Sequence, residues 1–222
     1  MSFEPITHVL FDMDGVLLDT EPLYTKAIHA VTSRYGHAFG WGLKEQIMGR
    51  GRVAAARFLV ETLKLPLSPE AFLEARDAVL LDMLAKAAEI PGAEAFTRSL
   101  RARGLTLAVA TSSERRIFSL KTGLHQDWFT STFSAVVCGD DPRIAHAKPA
   151  PDIFLLAARM LKADPAHCLV VEDSPAGIAA AKAAGMRVVA MPDPNLDRAH
   201  VAQADWVIEG YHDFPMELFQ GL

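Results

Sequence analysis

Apolar positions along this chain fall into two textures. Short runs dense in apolar residues occur at about Thr7–Phe11, Leu105–Ala110, Ala135–Cys138, Cys168–Val171, Arg187–Met191 and Trp206–Ile208. Such runs suit strands buried on both faces of a sheet. From Glu21 to about Glu89 the spacing is helical instead. Leu23, Ala27, Ile28 and Val31 recur on one helical face within Glu21–Tyr35, and Arg52–Leu63 and Pro69–Ala88 read the same way. Ser68-Pro69-Glu70-Ala71 supplies a cap and a proline at the first helical position. Ile90-Pro91-Gly92 then punctuates the chain, and strand–helix alternation resumes. One later helix, around Ala179–Ala184, is ended by Gly185. The pattern predicts an α/β protein with a doubly wound parallel sheet and an α-helical domain inserted after the first strand. The expected core is 1–19 with 90–222, and the expected insertion is 20–89. Hinges are expected near Leu17–Glu21 and Glu89–Ala93.

Three of the strand-like runs end in functional groups. Val9-Leu10-Phe11 leads into Asp12-Met13-Asp14-Gly15. Residues i and i+2 of a strand project to the same side, so both carboxylates can face one site. Gly15 allows a sharp turn or the close approach of a ligand. Two such acids can divide nucleophilic attack from acid–base work, and either can hold a hard cation. Asp and Gly are also ordinary turn residues, so this tetrad alone decides little. The run ending at Ala110 is followed by Thr111-Ser112-Ser113, and the run ending at Val171 by Glu172-Asp173-Ser174-Pro175. Lys148 stands between them in His146-Ala147-Lys148-Pro149. In an open parallel sheet, ligands bind beyond the carboxyl ends of the strands. One site would then gather acids, hydroxyls and a lysine, an inventory suited to a divalent cation and a phosphoryl group.

Composition narrows the classes. The chain has 222 residues, half of them hydrophobic, enough for one domain plus a modest insertion. A net charge of −5 without a basic run argues against nucleic acid or an anionic membrane as partner. Cys138 and Cys168 flank apolar runs and read as buried free thiols, although a disulfide is chemically open to them. No basic segment with a following apolar stretch opens the chain, and no apolar run approaches the ~20 residues of a membrane span. A cytoplasmic monomer is the expectation. The histidines lack metal-ligand spacing, so no zinc site is assigned. Gly49-Arg50-Gly51-Arg52 mimics a dinucleotide-binding loop, but no strand precedes it. Arg50 and Arg52 remain candidate substrate contacts, with plain surface charge as the competing reading.

Taken together, these stretches resemble the haloacid dehalogenase-like superfamily of phosphohydrolases. Asp-x-Asp-Gly, a Thr-Ser after the next strand, a Lys and a later acidic pair occur in the family's order, and the resemblance covers nearly the whole chain. Within the superfamily the chain is similar to the branch holding β-phosphoglucomutase, pseudouridine-5′-phosphatase and the plant-type sugar or polyol phosphate phosphatases. Gly139-Asp140-Asp141-Pro142, the stretch from His146 to Phe154, Trp41-Gly42-Leu43-Lys44, Met48-Gly49-Arg50, and Lys121-Thr122 with His125 carry that likeness. The resemblance implies a Rossmann-like core with a mobile α-helical cap. It implies a Mg²⁺-dependent phosphatase acting on a small metabolite, pseudouridine 5′-phosphate or a sugar or polyol phosphate such as glycerol phosphate. Asp12 would be the nucleophile that forms an aspartyl phosphate. Asp14 would protonate the leaving oxygen and then activate water. Thr111 and Ser112 would donate to phosphoryl oxygens, and Lys148 would supply a point charge. Asp12, the backbone carbonyl of Asp14, Asp173 and Glu172 would hold the metal. Local structure offers plainer roles for some of these groups, since Asp173 or Ser174 before Pro175 also suits a helix cap. A phosphosugar mutase is the alternative, but mutases of that branch carry a His where Tyr24 stands here. A dehalogenase would lack Asp14, and a non-catalytic binding module would have no use for the full set.

Overall fold

The apolar runs pair into one parallel sheet. The computed structural model describes residues 5–47 and 52–219. Its strands are β1 (His8–Phe11), β2 (Thr106–Thr111), β3 (Ala135–Cys138), β4 (Cys168–Glu172), β5 (Arg187–Ala190) and β6 (Trp206–Val207). They lie in the order β3-β2-β1-β4-β5-β6 and pair parallel throughout. This is the doubly wound arrangement, with the strand order reversing direction at β1. Val9, Leu10 and Phe11 are fully buried, as a strand covered on both faces requires. On one face Val9, Phe11, Leu107, Val109, Leu169, Val171 and Val189 pack with Trp128, Phe129 and Phe133. By strand alternation Ala108 and Ala110 point to the other face, and helix α8 (Asp152–Leu161) lies against β2 and β3. Helices α5 (Ala93–Ala102), α6 (Arg115–Lys121), α7 (Gln126–Thr132) and α9 (Pro175–Ala183) complete this unit. Cys138 and Cys168 are free and buried.

The chain divides into two compact units, 1–19 with 88–222 and 20–87. The second holds helices α1 (Glu21–Thr32), α2 (Trp41–Ile47), α3 (Arg52–Thr62) and α4 (Pro69–Leu84). Its core gathers Ile28, Val31, Phe39, Ala56, Leu59, Leu65, Phe72 and Leu73. Ser68 caps α4, its side chain accepting from the Ala71 N–H at 3.1 Å. In the sheet unit the two crossings of the chain run side by side. Asp19 N–H donates to Ala88 O, and Ile90 N–H to Leu17 O, both at 2.9 Å.

Some boundaries differ from those the pattern predicts. Thr111 and Glu172 are strand residues rather than loop residues. Thr111 pairs with Cys138, and Glu172 O accepts the Met191 N–H at 2.8 Å, so the ladders extend through both. Helix α4 stops at Leu84 rather than Ala88, because Ala88 is drawn into the paired crossing. Helix α1 gives way at Ser33 to a tighter turn, Ser33–Tyr35.

Candidate active site

The register sets the site at the carboxyl end of the sheet. Phe11 lies beside Val109 of β2 and Val171 of β4. Asp12 follows, its N–H donating to Val171 O at 2.9 Å. The chain then turns tightly, with Leu17 and Leu18 N–H donating to Met13 O at 2.9 Å. Gly15 makes that turn with φ +77°. A side chain there is excluded twice, by the left-handed backbone and because a Cβ would come within 2.4 Å of Asp173 Oδ2. The bare backbone of Gly15 is what admits the Asp173 carboxylate.

Lys148 joins the first and last motifs. Its Nζ donates to Asp12 Oδ1 at 2.5 Å and to Glu172 Oε1 at 2.8 Å, and it reaches Ala110 O at 3.3 Å. The ammonium also sits 4.9 Å from the centroid of the Phe154 ring. Glu172 is turned onto the start of α9. Its Oε2 accepts from Ser174 N–H at 2.7 Å and from Ser174 Oγ–H at 2.9 Å. Ser174 in turn caps α9 by accepting from Gly177 N–H at 3.0 Å. Any Cβ on Gly177 would fall 1.6 Å from Glu172 Oε1. Both Glu172 oxygens are therefore engaged by fixed protein donors.

The electrostatics follow from burial. Burial lifts the Asp12 pKa, the Lys148 ammonium pulls it back, and the Glu172 and Asp14 carboxylates raise it again, leaving it at about 7. For Lys148, burial alone would favour the neutral amine, but the Asp12 and Glu172 carboxylates outweigh it and raise its pKa above the ordinary lysine value. Asp12, Glu172 and Asp173 each offer an oxygen, all within 4.8 Å of one another. The donors are hard oxygens, which fit Mg²⁺ rather than a thiophilic metal. Among the described residues the carboxylates of Asp12, Asp14, Glu172 and Asp173 meet the ammonium groups of Lys148 and Lys121, and a divalent cation would offset negative charge there.

Asp14 has surroundings of its own. Its Oδ1 accepts from Lys121 Nζ at 2.5 Å and its Oδ2 from Ser113 Oγ–H at 3.0 Å. Lys121, wholly buried, also donates to Ser113 Oγ at 2.9 Å. Neither Lys121 nor Ser113 is among the site residues the sequence singled out. One signal was available for Lys121: it stands three residues after the buried Phe118, on the same face of α6.

The other expected residues are more dispersed. Thr111 is buried at the end of β2, where its Oγ1 accepts from Ser113 N–H at 3.1 Å. Ser112 is exposed in the turn that follows. Arg52 lies in the helical unit, ion-paired with Asp77, which Arg76 also contacts at 2.5 Å. Arg50 falls outside the described residues.

Comparison with known proteins bears on the whole chain. The profile of a hydrolase family, haloacid dehalogenase-like hydrolase, matches residues 6–185. (DL)-glycerol-3-phosphatase 2 of Arabidopsis thaliana is 43% identical over 217 residues, covering 96% of this chain and 90% of that protein. A Drosophila melanogaster protein named "Probable pseudouridine-5′-phosphatase" is 42% identical over 217 residues, covering 96% and 94%. Among solved structures, a β-phosphoglucomutase-like protein of Thermotoga maritima superposes with a TM-score of 0.72 at 29% identity, covering 96% of this chain and 97% of that one.

Proposed function

Because this chain belongs to the haloacid dehalogenase-like hydrolases, on the branch with pseudouridine-5′-phosphatases and β-phosphoglucomutase-like proteins, we propose that it is a Mg²⁺-dependent phosphatase of small phosphate monoesters. The observation that carries the reading is the separate provision made for the two aspartates. Asp12 is buried and gripped by Lys148, whereas Asp14 is held by Lys121 and Ser113. Groups so differently housed are suited to different tasks.

Asp12 attacks phosphorus and forms an acyl phosphate as the P–O bond to the leaving group breaks. Asp14, protonated at the start of the step, gives its proton to the departing oxygen and is left as the carboxylate that Lys121 and Ser113 hold. In the second step it takes a proton from water, which attacks the acyl phosphate, releases inorganic phosphate and restores Asp12. Lys148 keeps Asp12 oriented and balances negative charge throughout. The Thr111 hydroxyl and the turn at Ser112 lie at the adjacent strand end, where donors to phosphoryl oxygens are needed. Mg²⁺, held by Asp12, Asp173 and the Asp14 backbone carbonyl, would neutralise charge on the phosphoryl group. Glu172 braces Lys148 and the start of α9, and its carboxylate would be the further oxygen available to the ion.

For the substrate, the named relatives support a polyol phosphate such as glycerol 3-phosphate, or pseudouridine 5′-phosphate. The test is a screen of phosphorylated metabolites with and without Mg²⁺, together with a small aryl phosphate. Turnover of one of these small esters, lost on EDTA treatment and restored by Mg²⁺, is expected. Full activity after exhaustive chelation would remove the metal from the reading. A phosphopeptide that outperformed every metabolite would remove the small-molecule substrate.

A further inference from the structure

A wholly buried lysine is costly unless it is paired. Lys121 shares the buried face of α6 with Phe118, a face on which helices ordinarily carry apolar side chains. Positions that break the local rule in this way mark functional constraint. Lys121 Nζ, Asp14 and Ser113 Oγ form a closed ring, with separations of 2.5 Å, 2.9 Å and 3.0 Å. Each Asp14 oxygen is tied to a different group, so the carboxylate cannot rotate without breaking one contact. Ser113 is itself fixed, its N–H donating to Thr111 Oγ1 at 3.1 Å and its carbonyl accepting from Gly139 N–H at 2.9 Å. The Asp14 side chain keeps 23% of its surface open to solvent, so burial alone does not lock it.

We infer that Lys121 and Ser113 are positioning residues that aim the Asp14 carboxyl group at the leaving oxygen; the inference rests on the phosphatase reading. Proton delivery matters most where the leaving group is a poor one, as in an alkyl phosphate, and least for an activated aryl phosphate. Loss of Lys121 therefore has a signature that general damage to the fold lacks.

The experiment compares kcat and KM for glycerol 3-phosphate and p-nitrophenyl phosphate in the wild type, Lys121→Met, Lys121→Arg and Ser113→Ala, each made also in an Asp14→Asn background. Asp14→Asn is expected to slow the alkyl ester by about 10²–10⁴ and the aryl ester less. Lys121→Met is expected to lower kcat on the alkyl ester by roughly ten- to a hundredfold with KM little altered, and to cost the aryl ester about tenfold less than that. Ser113→Ala should follow in the same direction with a smaller loss, and Lys121→Arg should recover part of the rate. In the Asp14→Asn background neither substitution should cost anything further, because both act through Asp14. Equal losses on the two esters, or losses that add to that of Asp14→Asn, would overturn the inference. If Lys121→Met does not fold, Ser113→Ala in the two backgrounds decides by the same rule. A wild-type enzyme inactive on every phosphate ester is a different failure: it sinks the phosphatase reading and this inference with it.

Discussion

Charged side chains are treated differently in the two units of this molecule. In the sheet unit Asp12, Lys121 and Glu172 are buried, each within a network of short contacts. In the helical unit the described ion pairs, Lys44 with Glu21 and Arg52 and Arg76 with Asp77, all keep at least one partner partly open to solvent. The core of the helical unit is a cluster of aliphatic and aromatic residues. Buried ion pairs are a poor source of stability, since desolvation cancels much of their attraction. Packed apolar residues are a good one. The sheet unit thus carries a charge cluster that its own stability does not call for, while the helical unit follows the ordinary rules of a folded helix cluster.

The sharpest break of that contrast is Asp12→Asn. It should abolish turnover, by roughly 10⁴-fold or more, in a protein that still melts cooperatively. Wild-type phosphatase activity in the purified variant would end the proposed mechanism.

A matched pair of substitutions probes stability. Gly177→Ala places a Cβ 1.6 Å from Glu172 Oε1, so the carboxylate or the first turn of α9 must move. A loss of about 1–3 kcal/mol is expected, together with reduced activity as the brace of Lys148 shifts. Gly42→Ala in helix α2 meets nothing within 4 Å among the described residues, and should gain about 0.5–1 kcal/mol from its better helix propensity. Denaturant melts of the two variants read the difference directly. Equal effects would erase the distinction between the units.

The sheet unit also has an alkaline weakness. Burial pushes Cys138 up to about 11, Cys168 up to about 12, and Tyr211 above its ordinary value. An acid with a raised folded pKa contributes stability below its unfolded pKa and loses it as pH climbs to the folded value. Melting temperature should therefore fall from about pH 8.5–10 upward. Replacing both cysteines by alanine should flatten that fall, and an unchanged profile would show that the thiols do not drive it.

The smallest effect is expected at the surface of the helical unit. Arg52→Ala removes one exposed ion pair, so stability should change by about 0.5 kcal/mol or less. Aryl phosphate hydrolysis should stay close to the wild-type rate, because the pair Arg52 makes with Asp77 includes none of the reacting groups. A larger shift in preference between glycerol 3-phosphate and pseudouridine 5′-phosphate would support a substrate contact. No shift at all would leave Arg52 as the partner of Asp77.

Much of the fold was legible because the sheet is buried on both faces and its strands read as apolar runs. Those runs stop where acids and hydroxyls begin, so the ends of β1, β2 and β4 stood out, and with them Asp12, Asp14, Thr111, Glu172 and Asp173. Lys121 was harder to see. The stretch Arg115-Arg116-Ile117-Phe118-Ser119-Leu120-Lys121 reads as an ordinary helix with a polar face, and a lysine there is usually solvated. The fold inverts that habit: Lys121 is buried, while Leu124 nearby is 71% exposed. Its spacing from Phe118 puts Lys121 on the buried face of α6, but the partner that makes its burial tolerable, Asp14, lies more than a hundred residues away in sequence. Strand ends were blurred for a similar reason. Whether Thr111 or Glu172 belongs to a strand depends on its hydrogen-bonding neighbour, Cys138 or Met191, rather than on its own side chain.

The two crossings of the chain, paired between Leu17–Asp19 and Ala88–Ile90, have an evolutionary consequence. An insertion that leaves a host at one point and returns beside it imposes no stretch on the host backbone, whatever its own length. Every strand of the sheet keeps its register whether the interposed chain is long or short. The junction acts as a graft site, at which one insertion can be exchanged for another while the acids and lysines at the strand ends stay where they are. Diversification can thus proceed at this port without reworking the sheet.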